Sequence, residues 1–322
     1  MLCACRVSDC SRRPESKSGP STNGQFFFTP DSCNEIVQTL TRCHPESVVD
    51  VVARAEALAG NGATGATDPS TSFVLARAYR YTQAARFLDR LASLVEDGGD
   101  PEVAPYDQEV VRRAAETFSD LHAIHLVGDA AHAAPGALVG RIQAACSFLA
   151  RTRKTAGPLA KVMAAGSVAM AALCLRGLRS SEKRREWALS ELSERVGQYA
   201  YPGRPVSLGE RCLVAEVYLS LIVLSERLGI EVPSHVLGGI ETVVDSIEEA
   251  PDLPLSGGPD GIVLNVAPFE AADSREAILA LGTLLFDRPD FRANEVAPAE
   301  TLLWLTGIEG LEEYATIGRN GP

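Results

Sequence analysis

Histidines, cysteines and clustered charges are the residues of this chain that could carry chemistry, and each kind makes its own demand on spacing. His122 and His125 occupy neighbouring positions if the segment is helical, and His132 follows beyond Gly128. Imidazoles so placed suit a metal ion, but no carboxylate motif accompanies them to complete a ligand set. The plainer reading is cations near a helix C-terminus, which the backbone dipole favours. Cys3, Cys5, Cys10, Cys33 and Cys43 with His44 offer thiolates and one more imidazole, in no spacing that matches a zinc module. Cys146, Cys174 and Cys212 fall inside apolar helical patterns and read as buried thiols, not as a disulfide frame. No metal and no cofactor is expected on these grounds.

A second group could hold a ligand without transforming it. Glu109 and Arg113 stand four apart, where a helix lets them form an ordinary ion pair of about 0.3 to 0.5 kcal/mol, or present a charge to a sugar. Tyr199, Tyr201 and Arg204 sit on a turn after a helix, where aromatic faces and a guanidinium suit a glycan. Tyr199 also continues the stripe Leu189, Leu192, Val196, which favours the core for it. The glycine-rich run from Ser256 to Gly261 lacks the preceding strand and the lysine of a phosphate loop, so it reads as a turn carrying Asp260. The basic runs Arg151 to Lys154 and Arg176 to Arg185 read as solvated helix ends, and Lys161 as a cation whose stem lies along apolar surface.

The elements that must position these residues are helices. Val48, Val51, Val52 and Ala55 recur at helical spacing before Gly60, and Phe73 to Val95 forms a second helical region. Val110, Ala114, Phe118 and Leu121 share one face of a third. Further helices are predicted near Leu138 to Arg151, Leu159 to Leu178, Lys183 to Tyr199, Leu208 to Leu228, Pro233 to Glu248 and Ser274 to Phe286. Pro298 to Trp304 follows, with a short last helix around Leu311. No run alternates as a strand would, so the fold class is all-α. Residues 1–25, rich in Ser, Arg, Pro and Cys, read as a disordered tail before a single domain over 26–322.

Composition narrows the partners. The net charge of −12 disfavours nucleic acid, whose binding needs cations to displace counterions, and it obliges any polyanion to find a local basic groove. The most apolar run, Val162 to Leu175, would span about 21 Å as a helix against a hydrocarbon core of about 30 Å, so it reads as a core helix and no membrane partner is expected. With no signal-peptide pattern at the N-terminus, the expected location is cytoplasmic.

The order of landmarks resembles the heparinase II/III-like, or alginate-lyase-like, polysaccharide lyases. Arg77-Ala78-Tyr79-Arg80-Tyr81-Thr82 looks like that family's early Arg-x-Tyr-x-x-Thr helix, and Glu109-Val110-Val111-Arg112-Arg113 like its Glu-Val-x-x-Arg helix facing the sugar. The apolar helix Ala164 to Leu175 and the turn Gln198 to Gly203 follow in the family's order. Last come Asp273 to Arg292 and Leu302 to Gly307, similar to the linker from toroid to β-sandwich. The resemblance implies an incomplete (α/α) toroid of antiparallel helices, without the C-terminal β-sandwich.

Lyase chemistry beside a uronic acid requires a neutralised carboxylate and a base within reach of the C5 proton. The family uses an Asn-His pair and a Tyr-His pair for this. Here Gly157-Pro158-Leu159 stands at the first place and Val214-Ala215 at the second, and Pro202 runs directly into Gly203 without the family's Asp. Loss of one acid-base group typically costs about 10² to 10⁴ in rate. The expectation is a truncated, catalytically degenerate relative that binds an acidic polysaccharide or a protein. The alternatives are a helical protein adaptor and an active lyase that works through Tyr201, Tyr218 and Arg113. Oligomeric state leaves no mark in the sequence.

Overall fold

The structure, a computed structural model, describes residues 30–60, 68–94, 106–152, 154–175, 181–203, 205–250, 266–269, 274–292 and 299–317. Among them the fold is all-α, with no strand. The helices are α1 (Pro30–Cys43), α2 (Pro45–Gly60), α3 (Thr71–Thr82), α4 (Ala85–Ser93), α5 (Tyr106–Val127) and α6 (Ala134–Thr152). After them come α7 (Pro158–Cys174), α8 (Ser181–Ala200), α9 (Leu208–Arg227), α10 (Ser234–Glu248), α11 (Ser274–Phe286) and α12 (Ala299–Thr316), with a 3-10 turn at Pro289–Phe291.

Local chemistry sets several of these boundaries. At the start of α9 the Ser207 hydroxyl accepts from the Glu210 N–H at 3.1 Å, and the Glu210 carboxylate accepts from the Ser207 N–H at 3.4 Å. This capping box satisfies two amides that a helix start leaves over, and such a cap is worth about 1 kcal/mol. Helix α7 opens on Pro158, whose missing N–H costs nothing at that position. Gly157 before it donates its N–H to Asp107 Oδ1 at 3.0 Å, which ties the start of α7 to the first turn of α5.

Three long helices lie inside, of which α7 and the middle of α9 are apolar nearly all round while α5 also carries charged residues along one side. Helix α9 is buried without a break from Cys212 to Ser225, α7 buries all but a few of its residues, and α5 is buried over most of its length. Helices α3, α5, α7, α9 and α11 pack each on the next, while α4 packs on α6 and α8 on α10. Helix α12 packs on α11 and α9 and returns to α1, which in turn touches α2 and α3, so the contacts run in a closed circuit. Close approach between the helices depends on glycine. A Cβ on Gly166 of α7 would lie 2.3 Å from Val217 Cγ1 of α9, and one on Gly239 of α10 would lie 2.5 Å from Val196 Cγ2 of α8. Among the described residues no helix is long and apolar enough to cross a membrane.

Two elements differ from expectation. Helix α1 has no counterpart in the sequence reading. The region Phe73 to Val95 divides into α3 and α4, because Gln83 adopts a left-handed conformation (φ 57°) and donates its N–H to Tyr79 O at 2.7 Å. The two short C-terminal helices expected from sequence are present within α12, meeting at Gly307 (φ 79°, ψ −170°), a backbone region essentially reserved for glycine. Arg227 donates to Thr306 O at 2.7 Å, just before the kink.

Candidate functional site

Helix α5 carries a ladder of charge. Arg112 donates from Nε and Nη2 to Glu109 at 2.8 to 2.9 Å and from Nη1 to Glu116, while Arg113 donates from Nε to Glu109 Oε1. One turn deeper, Arg141 of α6 reaches Asp120 Oδ2 at 3.2 Å. Burial pushes the Asp120 carboxyl up to about 6, against the pull of Arg141 and of the Ser72 hydroxyl. Burial likewise raises Glu116, opposed by Arg112 and Arg141. Spacing of three and four residues aligns these groups, so the pair Glu109 and Arg113 expected from sequence is formed.

Arg113 differs from Arg112 in what remains exposed. Arg112 uses all three of its nitrogens on carboxylates, whereas the Nη groups of Arg113 meet no acceptor among the described residues. Its guanidinium is fixed by Glu109 at one edge and lies over the Phe148 ring of α6, 4.9 Å from the centroid. Tyr106, 47% exposed and seven residues earlier, lies on the same stripe about 10 Å along the axis. Its hydroxyl accepts from Thr155 Oγ1 at 3.0 Å. The result is a held cation with an open donor edge, stacked on one aromatic ring, with a second, Tyr106, two turns away on the same stripe. Such a fork matches a carboxylate in plane and charge.

A second polar cluster joins α1, α3, α5 and α12. Arg77, 1% exposed, donates to Glu300 Oε1 and stacks over Phe73 at 4.5 Å. The Tyr81 hydroxyl approaches the same carboxylate oxygen at 3.5 Å, and burial holds its phenol above the ordinary range. Phe73 meets the edge of the Trp304 ring at 6.2 Å and the His122 ring at 5.5 Å. His125 Nε2 lies 3.4 Å from Cys33 Sγ. A nucleophilic cysteine needs a thiolate, and burial works against one here, raising Cys33 to about 11 and lowering His125 to about 3. The dyad is a contact between a neutral thiol and a neutral imidazole. The same burial lowers His122 to about 3, so the reading of these histidines as dipole-stabilised cations is corrected: desolvation outweighs the helix terminus.

The remaining sequence candidates are dispersed. Tyr199 is buried with Leu192 and Val196, whereas Leu189 faces outward and Ala188 takes its place in the stripe. Tyr201 is 76% exposed at the end of α8. Helix α8 and helix α5 both pack on α7 and share no comparable contact with each other, so Tyr199 and Tyr201 are not gathered with Glu109 and Arg113. Arg204 and Asp260 lie outside the described residues, as do Cys3, Cys5 and Cys10. Val214 and Ala215 are fully buried, and the Tyr218 hydroxyl donates to Leu192 O at 2.7 Å. Among the described residues no group of three or more His, Cys, Asp or Glu could hold a metal. Cys33, Cys146, Cys174 and Cys212 are buried free thiols, and Cys43 is exposed.

Sequence reasoning passed over Tyr106, Phe148, Glu216 and Glu300. Tyr106 had a signal in its heptad spacing from Arg113. Phe148 and Glu300 had none, because their partners lie on distant helices. No protein-family model, curated protein or solved structure matches the chain.

Proposed function

We propose that the chain is a catalytically degenerate relative of the heparinase II/III-like lyases, a helical toroid that binds acidic polysaccharide without cleaving it. The observation that carries this reading is the Arg113 guanidinium, held by Glu109 and Phe148 with its Nη edge unbonded among the described residues, two helical turns from the exposed ring of Tyr106. A uronate supplies what that arrangement lacks, a planar carboxylate for the fork and a sugar face for the ring. The circuit of helix contacts supports the toroid, and Arg77 of the first segment that carries the resemblance is bonded to Glu300, two residues before the last. The proton of Tyr218 is committed to a backbone carbonyl in the core, which leaves that phenol poorly placed for general acid-base work.

Titration calorimetry with oligouronates, and with uncharged oligosaccharides of the same length as controls, tests the reading. Arg113→Gln should weaken uronate binding by about 10- to 100-fold, the worth of a charge-assisted hydrogen bond, and Arg113→Lys should recover part of it. Incubation with the same glycans should give no absorbance from unsaturated products. Uronate affinity indifferent to Arg113→Gln, or binding of the uncharged controls alone, sinks the proposal, and turnover removes its degenerate part.

A further inference from the structure

Helix α9 holds a carboxyl group that the reading of Arg113 does not use. Glu216 is 1% exposed, in the middle of the buried stretch of α9. Its Oε2 accepts from the Val266 N–H at 2.7 Å, and its Oε1 accepts from the Ser274 hydroxyl, a bond whose direction reverses by rotation of that hydroxyl when the acid is protonated. Val266, Ala267 and Phe269 are themselves buried, and Ser274 is the first residue of α11. One side chain thus ties two further parts of the chain to α9. A neutral acid satisfies both positions, its carbonyl oxygen accepting from Val266 and its O–H donating to Ser274 Oγ.

A carboxylate in the same place would have no counter-ion. The elements packed on α9 are α7, α10, α11 and α12. Helix α7 has a single charged residue, Lys161. On α10, Glu241 and Asp245 accept from Arg288, while Glu248 and His235 stand at its two ends. On α11, Arg275 donates to the Ile247 and Glu248 carbonyls, and Glu276 is its only other charged residue. Helix α12 brings Glu300, held by Arg77, and Glu309, Glu312 and Glu313. Glu210, Arg211, Glu226 and Arg227 sit toward the ends of α9 itself, and the Cys212 thiol lies one turn before Glu216. No cation among them bonds to Glu216, whose bonds among the described residues are to Val266 and Ser274. Burial accordingly pushes its carboxyl up to about 8, against the pull of those two hydrogen bonds.

We propose that Glu216 is a proton-operated latch: as a neutral acid it holds the Val266–Phe269 segment and the first turn of α11 on α9, and on losing its proton it releases them. The release comes on the mildly alkaline side of neutrality and leaves the helices beyond α9 and α11 in place. It is independent of the glycan reading, since Glu216 belongs to neither polar cluster described above.

Amide hydrogen exchange of the full chain, corrected for intrinsic rates, tests the latch between about pH 6.5 and about pH 9.5. Protection over residues 266–269 and 274–278 should fall about tenfold per pH unit as pH rises toward the titration, the factor that one proton contributes, and level off above it, while α5 keeps its protection. Glu216→Gln preserves the neutral hydrogen-bond pattern, with its amide donating to Ser274 Oγ, and should stay protected at both ends of the range. Should that variant fail to fold, carbon-13 NMR of the Glu216 carboxyl in the wild type decides alone, with an inflection near pH 8 expected. A carboxyl that titrates with ordinary glutamates overturns the latch. So does protection that is flat with pH, that falls equally in α5, or that falls equally in Glu216→Gln.

Discussion

A guanidinium at 1% exposure keeps its charge only if a partner answers it, and for Arg77 that partner is Glu300, 223 residues away. The Phe73 ring lies beneath the guanidinium and the Tyr81 hydroxyl beside the carboxylate. Removing one member of such a buried pair leaves the other uncompensated, which typically costs about 3 to 5 kcal/mol, whereas replacing both with apolar residues is often close to neutral. Glu300 is 19% exposed, so water softens the loss somewhat. Glu300→Gln should therefore lower stability by about 2 to 4 kcal/mol in urea unfolding. The double variant Arg77→Met with Glu300→Leu should recover much of it. Additive losses in the double variant would show that the two side chains stabilise the fold separately and not as a pair.

At the scale of elements, the close crossings of α7 with α9 and of α8 with α10 rest on absent methyl groups. A Cβ at Gly166 would meet Val217 Cγ1 and the Phe118 ring, and one at Gly239 would meet Val196. Helix propensity alone favours alanine over glycine by about 1 kcal/mol, yet overpacking a fixed interior costs about 1 to 3 kcal/mol. Gly166→Ala lies between three buried helices that cannot separate, and its thermal midpoint should fall. Gly197 and Gly238, on the same two helices as Val196 and Gly239, have open space around them, and alanine there should raise the midpoint or leave it unchanged. A stabilised Gly166→Ala would mean that α7 and α9 can slide apart without penalty. These crossings also mark what the sequence could disclose. Helix positions and burial followed from apolar periodicity, because that pattern is local, and the Glu109 and Arg113 pair followed from its spacing of four. The break at Gln83 did not, since a left-handed glutamine carries no composition signal. Helix α1 was passed over although Cys33, Ile36 and Leu40 recur at helical spacing, because the polar residues between them thin the apolar stripe. The cluster around Glu300 was illegible because its members come from distant parts of the chain.

Over the whole molecule, the buried titratable groups set how stability varies with pH, and their signs oppose. Glu216 is raised from 4.5 to about 8 and Asp120 from 3.8 to about 6, so the native state holds each proton longer and stability falls as pH rises through those windows. His122 and His125 are lowered from 6.5 to about 3, so their contribution is present above 6.5 and is lost as pH falls through that window. From 4.5 to about 6 the two histidines are opposed by Glu216 and Asp120, with Glu116, also raised by burial, on the side of the carboxyls, so stability changes little. Above about 6 Asp120 has finished titrating, and the histidines carry stability up to a maximum near pH 6.5. Beyond it Glu216 acts alone, with a slope of about −1.4 kcal/mol per pH unit for one proton. That fall ends early if the latch opens, because a released carboxylate is solvated and the penalty cannot exceed the cost of opening. Denaturant unfolding followed from about pH 3.5 to about pH 9 should show the plateau, the maximum and the alkaline decline, and Glu216→Gln should remove the decline alone. A decline that persists in Glu216→Gln would assign it to another group and would leave the buried carboxyl of α9 without influence on the fold.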